Sequence, residues 1–305
     1  MPNASLSFSV AAGARVPGAR LAGARYTLKR RLGRGRFSDV WLARDRTREE
    51  DIALKFLPEP LLKNTGFIEQ LQREIQRAAK LDHPAILRIF DFVQDRENLG
   101  VAMEYVDGWS LSVLKADRPQ KRYSLEEIRP WVWQLCTALE YAHCELGLVH
   151  GDLRPANLYL NAREQLRMAD YALNPILHSA LAHPGYLASG ALPYLSPQQV
   201  KGCVPNAPDD IYSLGATIYD LLTGTPPFFK GDIRAQVAET VPPPMTGRLV
   251  QLEIDGGFPQ SWDETIAACL AKEPAHRPQS VAQVRQRLEP TVAGGPPIKE
   301  DSGGK

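Results

Sequence analysis

The periodicity of the chain changes once, near Gly108, and that change restricts the folds open to it. From Tyr26 to about Val106 the apolar residues fall in short β-like runs: DVWLARD, DIALKFL, ILRIFDFVQ and LGVAMEYV. One amphipathic helix interrupts them. In FIEQLQREIQRAAKL, Phe67, Ile68, Leu71, Ile75, Ala78 and Leu81 recur at helical spacing. Beyond Gly108 the pattern is mostly helical. Ser124 with Glu127 forms a capping box ahead of a helix carrying Ile128, Trp131, Val132, Leu135, Leu139 and Ala142. A second helix runs through DIYSLGATIYDLL and stops at Gly224, before Pro226 and Pro227. Two more helical stretches lie near 262–272 and 280–288. A sheet-rich part followed by a helix-rich part predicts an α+β protein with two lobes, 26–106 and 107–290.

The two ends share neither pattern. Residues 11–25 read AAGAR-VPGAR-LAGAR, a five-residue repeat. Gly, Ala and Pro with regular Arg offer no core-forming face, so 1–25 is expected to be a flexible tail with solvated arginines. The final stretch, GGPPIKEDSGGK, predicts a second disordered tail over 291–305 and reads like the start of a linker. The formal net charge of +1 gives no global pull toward nucleic acid or an anionic membrane. Cys136, Cys144, Cys203 and Cys269 show no C-x-x-C spacing and no accompanying His cluster. That argues against a zinc or redox site and fits a reducing, cytoplasmic compartment. No apolar run is long enough to cross a membrane, and the N-terminus lacks the basic residues that open a secretory signal. No pattern in the chain specifies an oligomeric state.

Four motifs carry chemistry. The glycine-rich run 32–40, LGRGRFSDV, lies between two β-like runs and not between a strand and a helix. That context argues against a dinucleotide fold and against a Walker-type loop. Gly33 and Gly35 would let a hairpin backbone approach phosphates closely. Ala53-Leu54-Lys55 places a lysine on the next strand, where it reaches phosphate oxygens as a point charge. Glu74 follows on the amphipathic helix. His150-Gly151-Asp152-Leu153-Arg154-Pro155-Ala156-Asn157-Leu158 and Met168-Ala169-Asp170-Tyr171-Ala172-Leu173 then supply two carboxylates and an amide. Each motif alone has a plain structural reading, since G-x-G occurs in ordinary turns and single charged residues are usually solvated. Their joint order is the signal.

In this order and at these spacings the motifs resemble the protein kinase family, of the serine/threonine type. The resemblance spans roughly 26–290, with Tyr194-Leu195-Ser196-Pro197, Asp210-Ile211-Tyr212-Ser213-Leu214-Gly215 and His276-Arg277-Pro278 as later signposts. It implies a bilobal fold, a β-rich N-lobe with one helix and a mostly helical C-lobe. It also implies ATP and magnesium as cofactors, and a protein substrate or signalling partner. In the roles it implies, Lys55 binds the α- and β-phosphates and pairs with Glu74. Asp152 orients the attacking hydroxyl and accepts its proton, Arg154 meets the γ-phosphate, and Asn157 and Asp170 hold the metal ions. The remaining ATP-binding set is Gly33, Gly35, Phe37, Val40, Ala53, Met103, Glu104, Val106, Ser110 and Tyr159. Val40 and Ala53 would pack above the adenine. Met103 is the gatekeeper and 104–106 the hinge. Tyr159 stands where the family usually has an aliphatic residue beneath the adenine. The physical logic is independent: ATP brings about four negative charges, and a loose phosphoryl transition state needs neutralisation and alignment above all.

Six positions depart from the family pattern. Ser38 replaces the third glycine of the loop, Gly151 an arginine, Arg154 a lysine, Ala172 a glycine, Ala191 a threonine and Gln198 a glutamate. Gln198 can keep hydrogen bonds to Arg277 without the charge. The losses gather near the γ-phosphate, the acceptor side and the activation segment. The leading expectation is a serine/threonine protein kinase. The alternatives are a nucleotide-binding pseudokinase acting as a scaffold or allosteric module, and a small-molecule kinase of the same fold. The segment 173–189 contains no Asp, Glu, Lys, Arg or Thr. With Gly151 in place of the arginine that receives an activation-loop phosphate, no phosphate-driven ordering of that segment is expected.

Overall fold

The computed structural model describes residues 15–35, 38–95, 97–171, 173 and 190–289. The first lobe is built on strands β1 (Arg20–Leu21), β2 (Tyr26–Arg34), β3 (Asp39–Asp45), β4 (Glu50–Phe56), β5 (Ile89–Gln94) and β6 (Leu99–Glu104). They form one antiparallel sheet in the order β1-β2-β3-β4-β6-β5. Helix α1 (Thr65–Ala78) is capped by the Asn64 side chain and buries Phe67, Ile68, Leu71, Ile75 and Ala78, the stripe that its periodicity predicts.

The second lobe begins with β7 (Gly108–Ser110) and α2 (Leu111–Ala116), followed by α3 (Leu125–Leu146). The capping box of Ser124 and Glu127 forms, and Gly147 ends α3 in the left-handed conformation. Strands β8 (Leu158–Asn161) and β9 (Leu166–Met168) join β7 in a small antiparallel sheet. Three- and four-residue strands carry too little alternation to read from sequence, so this sheet was not expected. Then come α4 (Pro197–Val200), α5 (Ala207–Thr223), α6 (Ile233–Glu239), α7 (Met245–Gln251), α8 (Gln260–Cys269) and α9 (Val281–Leu288). Buried on every side, α5 packs against α3 and α8. One apolar core runs through both lobes, from Leu71 and Ile75 through Leu135 and Leu139 to Trp262.

Two backbone connections join the lobes. The chain itself crosses at 105–108. In addition, the Met168 N–H donates to the Ala85 carbonyl (2.7 Å) and the Leu87 N–H to the Met168 carbonyl (2.9 Å), so residues 85–87 are bonded to β9.

One expectation is corrected. Residues 15–25 do not form a free tail: β1 pairs with β2, and the Gly18 N–H and Ala19 carbonyl bond to the two sides of Leu28. Ala19, Leu21 and Ala22 cover a second apolar cluster on the outer face of the sheet, around Tyr26, Trp41 and Phe56. Arg25 pairs with Asp45 (3.0 Å) and Asp91 (2.6 Å). The order of the repeat comes from pairing with β2, from the apolar cover of Ala19, Leu21 and Ala22, and from carboxylates distant in sequence.

Candidate active site

A cavity of about 930 Å³ opens between the lobes, within the usual range for a small-molecule site. Its roof is the β2–β3 hairpin and β4. Side chains alternate along a strand, so Ser38 and Val40 face the cavity, and Lys55 reaches it from the register position opposite Val40. The loop closes with the Gly35 N–H donating to the Ser38 carbonyl (2.8 Å). Met103 and Glu104 end β6 at the back wall. The Glu104 carboxylate is already engaged, accepting from the Arg88 N–H (3.3 Å) and pairing with Arg167 (3.3 Å). Tyr105 and Val106 follow the last register pair of the ladder, Ile52 with Glu104, and line the cavity. Gly108 follows at a position that admits no side chain: a Cβ would lie 1.9 Å from the Leu160 carbonyl oxygen. The floor comes from the other lobe, with Tyr159 and Leu160 on β8, Ala169, and Ser110, which faces Tyr159 across the β7–β8 pair and caps α2. Burial pushes the Tyr159 phenol up to about 12.

The polar end of the cavity is fixed by a residue outside it. Asp210, fully buried on α5, accepts the N–H groups of His150 (Oδ2, 2.8 Å) and Gly151 (Oδ1, 2.8 Å), and a hydrogen bond to His143 Nε2 (2.8 Å). Gly151 sits at φ 75°, and its carbonyl accepts from Gln199 Nε2 (2.8 Å). A left-handed residue is what turns the chain here, and glycine adopts it without steric cost. The His150 Nδ1 accepts from the Asp152 N–H (3.2 Å) and its Nε2 donates to the Ala169 carbonyl (2.9 Å). That ring therefore ties the Asp152 loop to the Asp170 segment.

Asp152 and Asp170 both line the cavity, in different electrostatic settings. Burial pushes the Asp152 carboxyl above its ordinary value; Arg154 (Nε to Oδ1, 3.2 Å), His150 and Asn157 (Nδ2 to Oδ2, 3.1 Å) oppose the rise without cancelling it. Burial also pushes Asp170 up, but the Lys55 charge and hydrogen bond (2.5 Å) outweigh it, and this carboxyl lies below its ordinary value. Asp170 has φ 66°, a left-handed conformation that a short polar side chain tolerates. Asn157 gives its amide NH₂ to the Asp152 carbonyl (2.8 Å) and carboxylate, leaving its own oxygen as the group able to bind a cation.

Of the residues singled out from sequence, Gly33, Gly35, Val40, Ala53, Lys55, Met103, Glu104, Val106, Ser110, Asp152, Arg154, Asn157, Tyr159 and Asp170 all line this one cavity. Phe37 lies outside the described residues, as do Ala172, Ser179, Tyr186 and Ser189. Glu74 is the exception. Arg77 binds it, Nη1 to Oε2 at 2.8 Å, and Arg77 Nη2 also donates to the Leu146 carbonyl (3.0 Å) at the end of α3. Lys55 pairs with Asp170, so the expected Lys55–Glu74 pair is not formed. Periodicity places Glu74 on α1 but does not fix how the helix is turned. Sequence reasoning also passed over Asp210 as an anchor and Trp109 and Val113 at the mouth. Asp210 was visible only as part of a helix signpost.

Away from the cavity, Gln198 does bond Arg277, accepting from Nη2 at 2.5 Å. The charge of that buried guanidinium is met by Asp209 (3.5 Å), which also accepts from Ser196 Oγ (2.6 Å).

The model of the protein kinase domain matches residues 26–288, and the chain belongs to the protein kinase family. It is 33% identical over 285 residues to the serine/threonine-protein kinase PknB of Mycobacterium leprae, covering 90% of this chain and 44% of that protein. A probable serine/threonine-protein kinase of Streptomyces coelicolor is 33% identical over 282 residues, covering 90% of this chain and 41% of the other. The chain thus spans less than half the length of these curated relatives. Among solved structures, the Mycobacterium tuberculosis PknI kinase domain superposes with a TM-score of 0.71 at 28% identity, covering 90% of this chain and 98% of that one. Among the described residues no helix is long and apolar enough to cross a membrane.

Proposed function

We propose that this domain is an ATP- and magnesium-dependent serine/threonine protein kinase that moves the γ-phosphate to a protein hydroxyl. The observation that carries this reading is the convergence of Lys55, Asp152, Asn157 and Asp170 on one cavity, with the two carboxyl groups biased in opposite directions. The raised group is suited to take a proton and the lowered one to stay charged beside a cation. Asp152 accepts the hydroxyl proton as the oxygen bonds to the γ-phosphorus and the bond to the bridging oxygen breaks, releasing ADP. Arg154 holds Asp152 and offers its charge to the transferred group. Lys55 meets the α- and β-phosphates. Gly33 and Gly35 cover the phosphates; Val40 and Ala53 pack above the adenine, with Tyr159 below it. Met103 closes the back, Ser110 lies on the ribose side, and the backbone of 104–106 reads the base edge.

The Asp170 carboxylate and the Asn157 oxygen are hard ligands, which fit magnesium. Among the described residues no cluster of three or more His, Cys, Asp or Glu makes a protein-only cage, which suits an ion shared with nucleotide phosphates. Magnesium held there would neutralise charge on the phosphoryl oxygens. Four free cysteines suit a reducing, cytoplasmic compartment.

Transfer of radiolabelled phosphate with magnesium or manganese tests the reading. Wild type is expected to transfer label, and Asp152→Ala and Lys55→Met to lose it; equal signal from all three removes the enzyme. One observation favours a second reading, a nucleotide-binding module without useful transfer: Glu74 is held by Arg77, away from Lys55. A thermal shift with ATP in a protein that transfers nothing would select it.

A further inference from the structure

The arginine repeat at the N-terminus is not used by the proposed chemistry, yet its first described residue is buried where few exposed tails reach. The Arg15 side chain is only 6% exposed. Its guanidinium stacks over the Phe56 ring, 4.0 Å from the centroid. Its Nε and Nη2 donate to Asn98 Oδ1 (3.2 and 3.1 Å), and its Nη1 lies 3.7 Å from Asp39 Oδ2. Asn98 is in turn fixed by Asp95 in the β5–β6 turn.

The placement matters because of what lies across the sheet. Asp39 and Phe56 are register partners, and the next pair toward the sheet interior is Val40 and Lys55. Alternation puts Asp39 and Phe56 on the outer face and Val40 and Lys55 in the cavity. Arg15 therefore touches both members of the last β3–β4 pair before the glycine-rich loop departs. Asp39 is also held by Arg31 on β2 (3.0 Å) and by the Trp41 indole N–H (3.0 Å), so the two strands of the loop hairpin and the N-terminal segment converge on one buried carboxylate. Residues 18–21, bonded along β2, keep Arg15 there.

We propose that the N-terminal segment is part of the nucleotide site: Arg15 is a positioning residue that fixes the root of the phosphate loop through Asp39 and Phe56, and so sets affinity for the nucleotide. The inference rests on the nucleotide-binding reading of the cavity. A loop placed over phosphates that are present in both ground and transition states contributes uniform binding. Its misplacement raises KM and leaves kcat unchanged.

The test uses the full chain with Arg15→Met, which keeps apolar cover on Phe56 without the charge, and Arg15→Lys, which keeps the charge without the forked contact to Asn98. KM for ATP, kcat, nucleotide Kd by calorimetry and the melting temperature are measured for each. Loss of one buried charge-assisted contact predicts about a fivefold or greater rise in KM and Kd for Arg15→Met, with kcat within about twofold of wild type and Arg15→Lys in between. Unchanged KM and Kd in both variants overturn the proposal while leaving the kinase reading intact. So does a fall in kcat and melting temperature with no change in Kd, which marks Arg15 as structural only. A wild type that binds nucleotide without transferring phosphate leaves Kd as the deciding quantity. A wild type that binds none overturns proposal and reading together.

Discussion

At the scale of single residues, Asp210 and Gly151 hold the reactive loop in place by hydrogen bonding and backbone conformation. Asp210→Asn keeps the shape but exchanges an acceptor for a donor facing N–H groups. One buried N–H then loses its partner, which costs about 1–3 kcal/mol. Urea denaturation is expected to report that loss, with phosphate transfer falling as Asp152 loses its seat; full stability in the variant would refute the anchoring. Gly151→Ala is expected to cost about 1 kcal/mol, the penalty of a Cβ at φ 75°. The same position bears on an expectation about regulation. No arginine is present at 151 to receive a loop phosphate, so Ser179→Ala and Ser189→Ala are expected to leave the transfer rate within about twofold of wild type. A large loss in either overturns that expectation. The Arg277 site makes a different demand. Arg277→Met strips the cation from buried Asp209, and breaking a buried pair in this way costs about 3–5 kcal/mol.

At the scale of elements, α1 carries an ion pair that stands in place of the expected one. Glu74 is held by Arg77, which also grips the C-terminal carbonyl of α3, while Lys55 holds Asp170. The Arg77 side chain is 47% exposed, so its hold on Glu74 is worth at most about 1 kcal/mol. Arg77→Ala is expected to free Glu74 for Lys55 and raise the transfer rate, by no more than about fivefold; a fall in rate would show that Arg77 supports the active arrangement. The elements themselves were largely legible. The four internal β-like runs, the α1 stripe, the Ser124 capping box and the stop at Gly224 are all local signals, set within a few residues of where they act. The β7–β8–β9 sheet and the strap of 15–25 were not legible. The sheet's strands are too short for alternation to show, and the strap's order depends on partners such as Asp39, Asp91 and Asn98, contributed by other parts of the fold. The cavity residues were legible through motif order, whereas the rotation of Glu74 and the anchoring role of Asp210 belong to packing that no spacing encodes.

At the scale of the whole molecule, the apolar core is continuous across both lobes, so the protein is expected to unfold in one transition. Its stability is expected to depend on pH in the alkaline range. Burial pushes Lys272, whose ammonium lies against the Val237 carbonyl (2.8 Å), from 10.5 down to about 8. Between those values the unfolded chain takes up a proton that the folded protein does not. This contribution is therefore present above about pH 10.5 and is lost as the pH falls to about 8, by on the order of 2 kcal/mol. Cys136 and Cys269, pushed up to about 12, act in the opposite sense above pH 9. The difference between wild type and Lys272→Met across this range isolates the lysine; parallel curves would refute its burial as a charge.

The bonds between residues 85–87 and β9 have a mechanical consequence. Together with the chain crossing at 105–108, they give the sheet lobe a second backbone connection to the helical lobe, close to the floor of the cavity. Backbone ties on this side are expected to make opening of the gap between Val40 and Tyr159 easier than sliding of one lobe across the other. A pair of distance probes, one on each side of the cavity, would report that opening; a fixed separation with a change in lobe offset would refute the expectation.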